Sequence, residues 1–231
     1  MSKSTQIQLL VIAAISFAVL LQDPIKISID HNSNATANSA FKFKNVPPPA
    51  KDDAAANAKL MMLDGEEDPN GTELSGLTDG LVPTAEDQAG ANFFFKAGSG
   101  GGRFRLDFGT PIEIAQVNTY SWHPNSRGPQ VYRLWASDES DPKFNAEPKG
   151  TTDPITCGWK QLALVDTRGR DGEDGGQYGV SISRPGGSLG KYRYLIFDCY
   201  VTEVADNWGN TFYSEVDVVK KSVTPGLSRN P

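Results

Sequence analysis

Between Arg103 and Phe108 the chain alternates strictly: Phe104, Leu106 and Phe108 fall on one side, and Arg103, Arg105 and Asp107 on the other. A repeat of two places successive side chains on opposite faces, which a strand with one buried face requires and a helix cannot provide. Shorter apolar runs follow at 112–122, 130–137, 159–167, 178–183, 192–201 and 211–219, separated by clusters of Gly, Pro, Asn and Asp. The 23 glycines and 15 prolines in 231 residues suit strands joined by tight turns. The best helical candidate, 54–62, is short. Seven or eight antiparallel strands within roughly 160 residues predict an all-β fold, a two-sheet antiparallel β-sandwich of jelly-roll type.

The first 22 residues read differently. Lys3 precedes an uncharged apolar run at 9–21, and Ser16-Phe17-Ala18 offers a small-x-small cleavage site. This predicts a signal peptide, with an uncleaved N-terminal anchor as the alternative, since the run is shorter than the roughly 20 residues that span a bilayer. The expected location is secreted, periplasmic or extracellular. Residues 23–56 are polar and small, with Pro47-Pro48-Pro49 near their end. They read as a linker, in which 40–46 is a candidate edge strand. The folded domain is then expected at 57–222 and a flexible tail at 223–231.

With 28 acidic and 22 basic side chains, the formal charge of -6 gives no cationic field for a phosphate backbone or an anionic membrane. Nucleic acid is excluded as a partner, and strong membrane binding by the mature domain with it. Catalysis finds little support. Of the two histidines, His31 lies in the predicted linker, which leaves His123 in the folded part, and no Gly-x-Ser-x-Gly elbow accompanies it. The stretch 186–191 lacks the spacing of a phosphate loop, and 171–176 lacks the twelve-residue spacing of an EF-hand. The expectation is a protein without enzymatic activity. Cys157 and Cys199 either pair after export or stay as buried thiols.

The densest cluster of groups suited to ligand contact is 120–130. Trp122 offers a ring face for the C–H side of a sugar, while His123, Asn125 and Arg127 offer bonds to hydroxyls. The competing reading puts Trp122 in the core and makes Arg127 a brace for the loop. Trp208 and Asn210 form a second such loop before the last strand.

The order of the motifs resembles the discoidin or coagulation-factor type C family, one of the galactose-binding-like folds. The likeness runs through Leu77-Thr78-Asp79-Gly80 with Thr84, then Phe104-Arg105-Leu106-Asp107-Phe108-Gly109 leading into Ile114-Ala115-Gln116-Val117. It continues through Tyr132-Arg133-Leu134-Trp135-Ala136-Ser137, Gly158-Trp159-Lys160-Gln161-Leu162-Ala163 and Phe212-Tyr213-Ser214-Glu215-Val216-Asp217-Val218. The resemblance implies a binding module, with a glycan or glycoconjugate as the leading ligand. The rival is an adhesion or structural domain with a protein partner. It also implies a structural calcium ion held by the Asp79 turn, Thr84 and Glu215, ligands of the oxygen type calcium prefers.

Overall fold

The computed structural model describes residues 23–169, 175–203 and 209–222. The signal segment 1–22, the tail 223–231, most of the 171–176 stretch and Trp208 lie outside the described residues. Eight antiparallel strands carry the fold: β1 (Lys26–Ser33), β2 (Lys59–Asp64), β3 (Gly101–His123), β4 (Val131–Ser137), β5 (Lys160–Asp166), β6 (Gly176–Ser183), β7 (Gly190–Tyr200) and β8 (Tyr213–Lys220).

The 23-residue β3 belongs to two layers. Its first part pairs with β2 and β7, and β7 continues through β4 to β5. Its second part pairs with β6 and β8, and β6 continues to β1. The strand changes register against β7 between Asp107 and Ile112. Gly109 sits there at φ 74°, in the left-handed region that a side chain disfavours, and donates its N–H to Asp107 Oδ1 at 2.8 Å.

Alternation then fills the space between the layers. Phe104, Leu106, Leu134, Leu195 and Phe197 from the first sheet meet Val117, Val180, Ile182, Val216 and Val218 from the second in one buried cluster. Phe104 and Phe197, opposite each other on β3 and β7, stack at 5.0 Å. This is the all-β sandwich that the period-two pattern predicts.

Both outer faces are covered, and this departs from the sequence reading. Arg103 and Arg105, placed by alternation on the solvent side, are buried beneath the excursion that runs from β4 to β5. Arg103 Nε donates to Asp198 at 3.1 Å, and its Nη1 meets the carbonyls of Pro148, Lys149 and Thr152. Arg105 Nη1 donates to Ala146 O at 2.7 Å. Leu63, Trp135, Trp159, Tyr194 and Ile196 form a second apolar cluster on this face.

The segment read as a linker covers the other sheet. Residues 26–33 are a strand, in register with β6 from Lys26 opposite Ser183 to Ser33 opposite Gly176. The chain then folds back as a strap over the outer face, pinned where the Asp30 carboxylate accepts the N–H groups of Asn45 (2.6 Å) and Val46 (3.1 Å) and the Asn45 amide (2.7 Å). Turns and bends occupy 40–46 instead of an edge strand. The helical candidate 54–62 resolves into a 3-10 turn, Ala55–Asn57, and β2. Asp53 accepts the N–H groups of Ala55 and Ala56 with one carboxylate oxygen and Val218 N–H with the other, which ties the 3-10 turn to β8.

The thiols are free. Cys199 lies in the inter-sheet core and Cys157 in the cluster on the opposite face of the first sheet, so the sheet itself separates them. Burial raises both thiol pKa values.

Candidate functional site

The loop leaving β3 brings His123, Arg127 and Asn210 together as an internal bracket. Phe94 and Phe212 stack on each other at 4.1 Å, and Arg127 lies against both rings, 4.7 and 4.0 Å from their centres, while its Nε donates to Asn210 O at 3.1 Å. The His123 ring meets Phe212 edge-on, its Nδ1 accepts the Asn125 N–H at 3.2 Å, and its Nε2 faces Asp87 Oδ1 at 3.3 Å. With Nδ1 accepting, the proton sits on Nε2 and is donated to Asp87. Burial, and next the Arg127 charge, lower the His123 pKa. Asn210 Nδ2 holds the carbonyls of Lys96 (3.1 Å) and Ser99 (3.4 Å).

These residues were expected to form an exposed sugar platform, and the structure corrects that. His123, Arg127 and Asn210 are buried, and of this set Asn125 alone is exposed among the described residues. Trp122 is buried as well, and it lies on the other side of the sheet, because consecutive strand residues point to opposite faces. His123 turns inward toward Phe212, and Trp122 turns outward under the strap.

There Trp122 and Tyr120 of β3 join Phe41, Phe43, Pro48 and Pro83 around a recess of about 140 Å³. Phe43 reaches toward Tyr120, with ring centroids 6.0 Å apart. The Tyr120 hydroxyl donates to Pro47 O at 2.6 Å and lies 3.0 Å from Asp217 Oδ2. The Trp122 Nε1–H is buried and has no acceptor among the described residues. Sequence reasoning missed Phe41 and Phe43 by assigning their segment to a linker. The available signal was two aromatics two residues apart inside an otherwise polar stretch.

The carboxylates expected to hold calcium meet in part. Gly80, in the left-handed region at φ 76°, donates its N–H to Glu215 Oε2 at 3.0 Å, so the Asp-Gly turn does reach the closing strand. Asp79 Oδ1 accepts Leu81 N–H at 2.8 Å. Thr84 does not join them; it is exposed, and both its N–H (2.8 Å) and its hydroxyl (3.3 Å) bond Gln88. Glu215 is 1% exposed, and burial, followed by the charge of Asp217, pushes its pKa up to about 9. Among the described residues no three His, Cys, Asp or Glu side chains are grouped to hold a metal ion.

No family model and no curated protein matches the chain. Solved structures do. SpGH29 is 12% identical with a TM-score of 0.45, over 76% of this chain, which spans only 29% of that one. A chitosan-binding module of a chitosanase/glucanase from Paenibacillus sp. IK-5 is 16% identical with a TM-score of 0.45, over 72% of this chain and 98% of its own. The lectin domain of lectinolysin, solved with Lewis B antigen, is 11% identical with a TM-score of 0.46, over 74% of this chain and 98% of its own. The solved structures similar to this chain thus include carbohydrate-binding modules and a lectin domain, at a loose level of likeness.

Proposed function

We propose that this chain is an exported, non-catalytic module that binds a glycan, and that the recess between the strap and β3 is where the sugar makes contact. The observation that carries the reading is the recess itself. Aromatic side chains supply flat apolar surface for the C–H patches of a sugar. Apolar recesses with few polar groups are the usual form of a small-ligand site. Retention on a glycan array tests it. The intact protein is expected to be retained by a subset of glycans, and Phe41→Ala, at a half-buried position on the strap, is expected to lose that retention. Absence of retention by any glycan would overturn the reading.

The same proposal includes a calcium ion at the Asp79 turn. Asp79 and Glu215 would hold it, since the Gly80 N–H already joins that turn to the Glu215 carboxyl, and a buried carboxyl gains from a neighbouring cation. Asp79 lies on the turn that Glu215 already holds, whereas Thr84 as placed supplies nothing. When bound, calcium would tie this turn to the closing strand.

A second reading, a protein-contact domain, draws on β1. This edge strand exposes Ile27 (37%) and Ile29 (45%), side chains that edge strands usually keep covered. Concentration-dependent association, lost in Ile29→Lys, would favour it.

A further inference from the structure

We propose that the free edge of β1 pairs with the same edge of a second copy of this chain, antiparallel about Ser28, so that Ile27 faces Ile29 and Lys26 faces Asp30 across the join. The inference rests on the protein-contact reading of β1, to which it gives a partner and a register, and it does not need the glycan reading. β1 ends its sheet and pairs with β6 alone among the described strands. One step beyond that ladder, where Ser33 stands opposite Gly176, the Asn34 N–H bonds Gly175 O at 3.2 Å. Bonded pairs alternate along an antiparallel ladder, so the even positions of β1 bond β6, while Ile27, Ile29 and His31 turn their N–H and C=O groups outward. Among the described residues no backbone group meets them there.

The side chains along this edge sort by parity. Ile27 and Ile29 stand in register with Ile182 and Val180 of the core, so they lie at the margin of the inner face, where both are exposed. Lys26, Ser28 and Asp30 lie on the outer face. The strap gives Asp30 neutral N–H groups only, and neither Asp30 nor the exposed Lys26 has an ion-pair partner among the described residues. Charge on an edge ordinarily guards against pairing. Here the two charges are opposite in sign and four residues apart, which singles out one arrangement. Parallel pairing in register sets Lys26 beside Lys26 and Asp30 beside Asp30. Antiparallel pairing centred on Ile27 or Ile29 leaves the charges unmatched, and pairing centred on Asp30 opposes two carboxylates. Pairing centred on Ser28 joins outward groups to outward groups through Ile27 and Ile29, and sets Lys26 opposite Asp30 twice. The contact is self-complementary about a twofold axis perpendicular to the sheet, with four isoleucines on one face and two ion pairs on the other. Both straps then lie on the same side of the joined sheet. A contact made chiefly by residues 26–30 falls short of a standard interface of roughly 1,600 Å², so the dimer is weak and reversible.

The test is sedimentation of the intact protein from about 10 µM to about 1 mM, the range of a weak contact. The expected result is a monomer–dimer equilibrium. Lys26→Glu, at an exposed position, sets like charges opposite each other twice and should weaken the dimer about tenfold. The register is read by cross-linking. Under mild oxidation Ser28→Cys should give a disulfide-linked dimer, because the two copies of position 28 face each other as a non-bonded pair, with Cα atoms roughly 4.5 Å apart. Lys26→Cys should not, since its two copies lie four residues apart along the join. A dimer lost in Ile29→Lys but unchanged in Lys26→Glu and not trapped by Ser28→Cys would overturn this pairing and leave β1 as a contact surface. A monomer at every concentration would overturn the second copy as the partner and leave β1 to a different protein. A dimer indifferent to both Ile29→Lys and Lys26→Glu would overturn the pairing together with the protein-contact reading of β1.

Discussion

Phe43 lies flat on Gly179, with three ring atoms 3.2 Å from the position a β-carbon would occupy. Gly179 is in β6, opposite Tyr120 of β3, so the absence of a side chain there lets the strap press on the sheet. Gly179→Ala introduces a contact that the ring must yield to by a few tenths of an ångström. We expect it to lift Phe43, to cost about 1 kcal/mol, and to speed proteolytic cleavage within 38–50. In a Phe43→Ala background the same substitution should be neutral or stabilising, because alanine suits a strand better than glycine. A double-mutant cycle by denaturant melting measures the coupling.

Asp30 is the latch for the same strap. One carboxylate takes three N–H groups from Asn45 and Val46, and Asp30→Ala leaves all three to find water. The expected loss is about 1 to 2 kcal/mol, because the site is partly open to solvent. Hydrogen exchange should show it as lost protection at Asn45 and Val46, with the core strands unchanged.

His123 gives the protein an acid-sensitive term. Its pKa is lowered by burial and then by the Arg127 charge, so the unfolded chain takes up the proton at a higher pH than the folded one. Its contribution is therefore fully present above the ordinary histidine range and is lost as pH falls from about 6.5 through the folded value. Asp217, raised to about 6 by burial, and Glu215, raised to about 9, work in the opposite direction over this range. The check is consequently a difference: in denaturant melts from pH 8 to 5, the stability of the native protein relative to His123→Gln should fall as the pH falls. Parallel curves would show that His123 does not titrate differently on folding.

Glu215→Gln separates the carboxylate from the ion. In chelator at pH 7 to 8, the substitution should raise the melting temperature by a few degrees, since it removes a buried acid whose charge is opposed by Asp217 and keeps an oxygen for Gly80 N–H. Added calcium should stabilise the native protein and leave Glu215→Gln unmoved. An unchanged melting temperature of the native protein on chelation, with no calcium by elemental analysis, would remove the ion from the proposal.

The strands were legible because each has a buried face, and the parity of 104, 106 and 108 survives into the core. What was not legible is what lies on the opposite faces. Arg103 and Arg105 read as solvent-facing since nothing local announces that 138–159 will fold over them and supply carbonyls to their guanidinium groups. The strap was hidden for a similar reason. Its hold on the sheet comes from Asp30, Phe43 and Gly179, three residues far apart in sequence and unremarkable singly. The site residues suffered from parity. Trp122 and His123 were read as neighbours on one loop surface, whereas adjacent strand positions face opposite ways, so a pair that looks joined in sequence is divided by the sheet.

The two-layer passage of β3 bears on where this chain can be cut. Because residues 101–107 serve one sheet and 116–123 the other, a break near Gly109 would leave two fragments, neither holding a complete layer. Fragments split there should stay unstructured apart and recover the native signal only when mixed. A circular permutant opened at that point should depend on its new termini being held in place by pairing with β7 and β6, so tolerant entry points belong in the connections at the ends of the sandwich.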